Sequence, residues 1–427
     1  MVTNITPADF EQSGIPRVIL PGELKFLYNG VSIEMHWASA ISTAADPRKA
    51  VEELASAINV GLEGRVPHLL VLFISAAHHR SYATVLELLD QQFPDGLQIG
   101  CTASGVIGDA REIEQGPAIS ITAGHLPNVH LKPIYLDLED LPDSDAAPHV
   151  WRERLGYEEP AQQPPHFLLL ADPFTPNMDR LLEGLDYVFP DSQKFGGLAS
   201  GSGDAKGNRL ILDRHIFDQG AVLLSMTGEI GLDVIVAQGC RPIGPPATIT
   251  ACHQNTIIEI NDKPALEWLS AAMGVASEAD QRRAKTHLFI GLSLDPFNPE
   301  PQHGEFLIRN LVGVDYETGS IVVGGALQEG QLVRFHLRDG EASHDDLDML
   351  LTSYKGPQHN IGLLLFSCLG RGEYLYRTSN HDSDLIREHL GPVPVTGCFC
   401  NGEIGPVGDA THIHGYTSVL GVLRPPS

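Results

Sequence analysis

Apolar and polar positions follow one order three times along this chain. In the first stretch, Leu69–Ser75 (LLVLFIS) is apolar almost throughout, the pattern of a strand buried on both faces. Val85, Leu86, Leu88 and Leu89 then fall at helical spacing and predict a helix over about 82–93. The glycine-rich word IGCTASGVIG follows at 99–108, and an apolar strand at 118–124 closes the stretch. The second stretch has a strand at 167–171, a helix near 177–188, the word FGGLASGSGD at 195–204 and the strand AVLLSMTG at 221–228. The third has a strand at 362–367, a helix near 384–390, the word TGCFCNGEIG at 396–405 and a final apolar run. The first two helices both end in FPD, at 93–95 and 189–191, and the spacing from Ser75 to Gly100 nearly equals that from Asp172 to Gly196. Matching words at matching offsets predict three β-α-β-β units. Their glycines are expected in tight turns.

Between these units the pattern changes. Residues 1–25 carry Pro7, Pro16 and Pro21 without periodicity, and 31–38 alternates like a half-buried strand. Asp46 with Pro47 starts a helix. Between the second and third units, a hairpin is expected at 247–252 and 256–260, an amphipathic helix at 263–273, and strands over 287–337. Ser343, with Asp345 and Asp346, is expected to open a helix running to about 354. The fold class that follows is α+β, with repeated β-α-β-β units and a strand-rich insertion. The boundaries are a leader at 1–28, an N-terminal domain at 29–238 and a C-terminal domain at 239–425.

Composition narrows the function. Hydrophobic residues make up 42% of the 427 positions, enough for a large core. The formal charge of −26 repels phosphate backbones and anionic membranes, so nucleic-acid binding and membrane insertion are not expected. Six scattered cysteines fit a reducing cytoplasm rather than a disulfide scaffold. No signal peptide or membrane-length apolar run is visible.

Candidate chemistry concentrates at 397–420, GCFCNGEIGPVGDATHIHGYTSVL. Cys398 and Cys400, with His412 and His414, offer zinc ligands or a thiolate–imidazole pair. The spacing of two within each pair argues against a zinc knuckle, and no metal or cofactor is expected. Ser104 and Ser200 lack the first glycine of a nucleophile elbow, and no phosphate loop of the GxxxxGK[ST] type occurs. A polar pocket remains. Arg371 lies between two glycines in FSCLGRG and offers a fork for a carboxylate. Glu403 and Asn401 end the next strand of the same unit, and the Tyr416 hydroxyl is within reach in sequence. A cation and an anion facing one cleft would hold a zwitterion; an Arg371–Glu403 structural ion pair is the alternative.

FSCLGRG, GCFCNGEIGPVG and HGYTSVLGVL resemble the C-terminal FIST domain, and LLVLFIS with IGCTASGVIG resembles the N-terminal FIST domain. The chain is also similar to the signal-transduction part of an F-box protein, although its leader is too short to hold an F-box. The resemblance implies an intracellular sensory module of signal transduction that binds a small ligand, an amino acid among the candidates, and passes its output to a separate signalling protein. The binding set is then Arg371, Glu403, Asn401, Tyr416, Thr417 and Cys398, with no catalytic residue assigned. A Cys/His-dependent enzyme and a protein-interaction scaffold are the alternative readings.

Overall fold

The computed structural model describes residues 34–157, 163–294, 298, 301 and 304–426. The leader at 1–28, and the start of the strand expected at 31–38, lie outside the described residues. Unit 1 contains strands β1 (His36–Ser42), β2 (Leu69–Ser75), β3 (Leu97–Ala103), β4 (Gly105–Gly108), β5 (Arg111–Ile113) and β6 (Ile119–His125). Unit 2 contains β7 (Val129–Leu136), β8 (His166–Ala171), β9 (Lys194–Leu198), β10 (Leu210–Leu212), β11 (His215–Phe217) and β12 (Ala221–Gly228). Unit 3 opens with β13 (Gly231–Ala237). It is then interrupted by β14 (Cys240–His253), β15 (Thr256–Ile260), β16 (Lys263–Pro264), β17 (Leu288–Ser293), β18 (Phe306–Asp315), β19 (Ser320–Val323) and β20 (Leu332–Arg338). It resumes with β21 (Gly362–Cys368), β22 (Val395–Cys400), β23 (Glu403–Val407), β24 (Ala410–His414) and β25 (Ser418–Arg424).

The units share one plan and exchange one part. Sheet 1 runs β1-β6-β2-β3-β10-β11, sheet 2 runs β7-β12-β8-β9-β23-β24, and sheet 3 runs β13-β25-β21-β22-β4-β5. The pair of strands linked by a helix is parallel in each unit, β2 with β3, β8 with β9, β21 with β22. Each hairpin that follows the repeat glycine leaves its own unit. The unit 1 hairpin pairs with β22, the unit 2 hairpin with β3 and the unit 3 hairpin with β9. The exchange closes in a cycle of three, which repeat-matching could not reveal because β-pairing partners leave no word in the sequence.

The glycines at the heart of the repeat are strand residues rather than turn residues. A side-chain carbon on Gly100, Gly196 or Gly397 would stand 2.0, 1.8 or 1.9 Å from the carbonyl oxygen of Leu72, Leu169 or Leu365. Each of those leucines is the register partner of its glycine in the parallel strand. The three positions are equivalent, and close backbone approach is what requires glycine there.

Alternation along the apolar strands builds two layers of core. Leu69, Val71 and Phe73 of β2 meet Leu168 and Leu170 of β8 and Leu364 and Phe366 of β21 in a shared centre. The Phe366 ring takes Phe73 and Phe195 edge-on, at centroid distances of 5.6 and 6.0 Å. Leu70, Leu72 and Ile74 face outward onto Val51, Leu54 and Ile58 of the helix Pro47–Gly61 and Val85 and Leu89 of the helix Tyr82–Gln92. Asp46 caps the first of these helices as the sequence predicts, accepting from the Arg48 and Lys49 amides.

Three strand ends meet where the units join. Ser200 donates its amide to Thr102 O at 3.1 Å, and Asn401 donates its amide to Leu198 O at 3.1 Å. The Ser200 hydroxyl donates to Phe399 O at 2.5 Å and accepts from the Ser104 amide at 2.9 Å. Ser104, Ser200 and Asn401 hold the same place in their three units.

The insertion forms a seven-stranded sheet, β14-β20-β17-β18-β19-β15-β16, around its own core of Ile249, Ile290, Ile321 and Phe335. Residue 239, the start of the expected C-terminal domain, therefore falls inside unit 3, between β13 and β14. The helix that leads back to β21 spans Gly340–Ser353, earlier than the sequence reading places it. Its cap is Asp339, which accepts from the Ala342 amide at 2.8 Å. Ser343 is buried within the helix and donates its hydroxyl to Gly239 O at 2.8 Å.

Candidate functional site

The end of β21 turns sharply into a buried polar cluster. The Arg371 amide bonds to Cys368 O at 2.8 Å, and Gly372 takes φ +65° to lead into the short helix Glu373–Tyr376. Asn380, at φ 60°, then starts the helix His381–Leu390, three residues earlier than apolar spacing alone places it. That early start puts Asp382 in the first helical turn and points its carboxylate inward.

Asp382 organises the cluster. Its oxygens accept from Arg371 Nε at 3.1 Å and Nη2 at 3.3 Å, from the Ser367 hydroxyl at 3.3 Å, and from the Ser418 hydroxyl at 3.2 Å. His381 Nδ1 lies 2.9 Å from Asp382 Oδ1 while its ring stacks on Tyr376, and its Nε2 meets His344 Nδ1 at 3.0 Å. Burial pushes the Asp382 pKa up, but Arg371 and His381 outweigh it and hold the carboxyl below its usual range. Arg371 is in turn raised, because Asp382 offsets the burial that would lower it.

The exchanged hairpin of unit 1 anchors this turn. The Glu112 amide donates to Asn380 Oδ1, and the Glu112 carboxyl accepts from the Ser383 amide, both at 2.8 Å. Burial, together with the charge of Asp382, pushes the Glu112 pKa up to about 8. Glu114 accepts from the Glu373 amide at 2.7 Å.

Glu403 enters from the opposite side. Its backbone pairs with Gly197 in sheet 2, while its carboxyl turns toward unit 3. It is fully buried, accepting from the Thr417 amide at 3.1 Å and from Cys400 Sγ at 3.4 Å. Burial raises its pKa to about 8, even though Arg371 and Arg338 pull the other way. Arg371 and Glu403 thus share the cluster, but the Arg371 fork is taken by Asp382 rather than by Glu403. Neither the zwitterion clamp with a free Arg371 fork nor the Arg371–Glu403 ion pair is the arrangement seen. Of the Arg371 nitrogens, Nη1 remains without a hydrogen-bond partner among the described residues.

The other candidates separate. Thr417 supplies its amide to Glu403, and Tyr416 lies under the Arg338 guanidinium with its hydroxyl donating to Asn310 Oδ1 at 2.7 Å. Asn401 belongs to the junction of the three units, where its side chain donates to Ala199 O at 3.1 Å. Cys398 faces the central core, its thiol held between Cys101 and Cys400, and burial raises it well above the usual value. Cys400 is pushed up to about 12 by the same burial. His414 bonds to Gly405 O at 3.0 Å and is lowered to about 4 by burial. No hydrogen bond among the described residues joins Cys398 or Cys400 to either histidine, so the thiolate–imidazole pair is not assembled. Among the described residues no group of three or more His, Cys, Asp or Glu is placed to hold a metal.

Sequence reasoning missed Asp382 and Arg338. Asp382 precedes an apolar helical stripe, where an acid reads as a solvated first-turn residue. Arg338 ends β20, and its register partner across the sheet is Cys240. It is 4% exposed, and its guanidinium lies over the Tyr416 ring at 4.8 Å. Two cavities lie away from this cluster. One of about 440 Å³ is bordered by Trp37, Asp109, Arg387 and residues 391–395, and one of about 300 Å³ by Tyr135, Arg209 and Phe217.

Comparison with known proteins agrees with the repeat words. The FIST N domain matches residues 68–263 and the FIST C domain residues 265–406. An uncharacterized protein of Mycobacterium tuberculosis is 31% identical over 386 residues, covering 90% of this chain and 98% of that protein. One from Mycobacterium bovis is 31% identical over 386 residues, covering 90% and 97%. Human F-box only protein 22 is 32% identical over 84 residues, 16% of this chain and 21% of that protein. Among solved structures, a cyanuric acid hydrolase from A. caulinodans overlaps 92% of this chain and 99% of its own, at a TM-score of 0.32 and 8% identity. No helix among the described residues is long and apolar enough to cross a membrane.

Proposed function

The chain belongs to the FIST family, whose domains are associated with signal-transduction sensors, and from that membership we propose that it is a cytoplasmic sensory module for a small ligand. The ligand class favoured is a zwitterionic amino acid, held at the end of β21 between Arg371 and Glu403. One observation carries this reading. Arg371 and Glu403 are both fully buried and act on each other electrostatically, yet neither hydrogen-bonds the other. A buried polar group without a partner costs about 1–3 kcal/mol. A small molecule with a carboxylate would supply the acceptor that Arg371 Nη1 lacks, and its ammonium would lie against the buried Glu403 carboxyl, with Thr417 and Tyr416 beside it. Six free cysteines fit a reducing compartment. The output is read by a separate signalling protein.

The test is a melting-temperature screen of zwitterionic amino acids, simple amines and simple carboxylates. A ligand bound only by the folded state adds about 2.7 kcal/mol at a hundredfold excess over its Kd. Zwitterions should produce the largest shift, and Glu403→Gln should remove their advantage over carboxylates. A full screen without a shift overturns the proposal.

A further inference from the structure

We propose that Arg338 and Arg371 together form an oxyanion site, and that the carboxylate of the sensed ligand is the group that fills it. The location rests on the sensory reading above; the chemistry rests on the two guanidinium groups themselves. Arg338 Nε and Nη2 and Arg371 Nη1 are buried and have no hydrogen-bond partner. Both side chains are more than nine-tenths buried, at 4% and 0% exposure. Native proteins rarely leave such donors unmade, and each one that persists calls for a missing acceptor.

Each group lies against backbone that adjoins the other's position. Gly370, the residue before Arg371, lies against Arg338, since a carbon placed on it would stand 2.7 Å from Arg338 Nη1. Gly239, the residue before Cys240, lies against Arg371, with the corresponding distance to Nη1 at 2.9 Å. Cys240 is itself the register partner of Arg338. Both guanidinium groups act electrostatically on Cys240, Glu403 and Tyr376. A side chain at either glycine would crowd these nitrogens.

Charge points the same way. Asp382 neutralises Arg371 through two hydrogen bonds. Arg338 makes no ion pair among the described residues, and its Nε and Nη2 have no acceptor. A buried cation without a counterion is strongly unfavourable, whereas guanidinium N–H groups suit carboxylate and phosphate oxygens. Cys368 and Tyr416, both half-buried, border the site. A ligand carboxylate and an inorganic oxyanion share the required chemistry, and their source is separated by experiment.

The experiment measures melting of the full chain with L-alanine, L-alanine methyl ester, acetate, succinate and inorganic phosphate, for wild type, Arg338→Met and Arg338→Lys. Compounds with a free carboxylate should shift wild type saturably, and the ester should not. Arg338→Met should weaken the response at least tenfold without lowering the ligand-free melting temperature, because it removes an unpaired buried charge. Arg338→Lys keeps the charge without the fork and should recover only part of the response. Phosphate acting alone with the same Arg338 dependence assigns the site to inorganic oxyanions and overturns the ligand assignment. If alanine outperforms acetate and both Arg338 variants respond like wild type, the sensory reading stands and the oxyanion site is wrong. If acetate matches alanine and both responses are lost in Arg338→Met, the oxyanion site stands and the zwitterion reading is wrong. No shift with any compound overturns both.

Discussion

Units 2 and 3 place the same backbone position at the end of the same central strand and use it differently. In unit 2 the position is Asp172, and in unit 3 it is Cys368, each three residues past the leucine that faces the repeat glycine. Asp172 satisfies itself nearby, accepting from the Phe174 amide at 3.1 Å and from Thr175 Oγ1 and Asn208 Nδ2 at 3.4 Å. Unit 1 does the same with Ser75, whose hydroxyl accepts from the Ala118 amide at 2.9 Å. In unit 3 the turn after Cys368 carries Arg371, and the insertion adds Arg338, so buried charge exceeds the partners available. One scaffold thus satisfies the strand-end position locally in units 1 and 2 and leaves guanidinium nitrogens unpartnered in unit 3. What makes the difference is the insertion and the turn, because the strands and the glycine are common to all three.

Breaking the unit 3 end at its hub should have the largest effect. Asp382→Ala strips the counterion from the fully buried Arg371 and should cost about 3–5 kcal/mol in urea unfolding. Asp172→Ala at the equivalent end of unit 2 should cost about 1–3 kcal/mol, the desolvation penalty of the donors left unmade. Equal losses would show that the two ends are not built differently.

The scaffold side of the comparison is tested by the glycines. Gly100→Ala, Gly196→Ala and Gly397→Ala each drive a carbon into a backbone carbonyl, and each should cost about 1–3 kcal/mol or more. Similar losses in all three units mark a shared frame. A tolerated substitution in one unit would remove that unit from the repeat.

Titration sharpens the contrast with a smaller signal. Glu403 and Glu112 are both raised to about 8, so between about pH 4.5 and 8 the folded chain holds more protons than the unfolded one. Stability should therefore fall as pH rises through that window, by at most about 1.4 kcal/mol per pH unit for each group. Asp382 is lowered and works in the opposite sense: its contribution is present above the ordinary aspartate range and lost as pH falls below it. Denaturant unfolding across this range checks the sign, and Glu403→Gln should flatten part of the slope.

Much of the frame was legible in the sequence because it is written in local signals. The all-apolar Leu69–Ser75, the capped helix after Asp46 and the repeated FPD words each carry their own periodicity or turn chemistry. The glycines were located correctly, but they read as turns, since a close approach between parallel strands depends on a partner distant in the chain. The site was half legible. Arg371 and Glu403 stood out between glycines, and they do share a buried cluster. Asp382 and Arg338 did not, since an acid in a first helical turn and a base at a strand end both read as solvated. Their burial is decided by the exchanged hairpin and the insertion, contacts that span much of the chain.

The cyclic exchange of hairpins also fixes an order of completion as the polypeptide leaves the ribosome. Sheet 1 has all six strands once residue 217 has emerged, since its borrowed hairpin is β10–β11. Sheet 2 must wait for β23 at Glu403–Val407, and until then β9 presents an open edge to its surroundings. The β4–β5 hairpin, with Val106 and Ile107 destined for full burial, is made by residue 113 and waits for its place beside β22 at Val395–Cys400. The nascent chain therefore carries an unpaired strand edge and an undocked apolar hairpin through almost half of its synthesis, the kind of exposure that holdase chaperones shield.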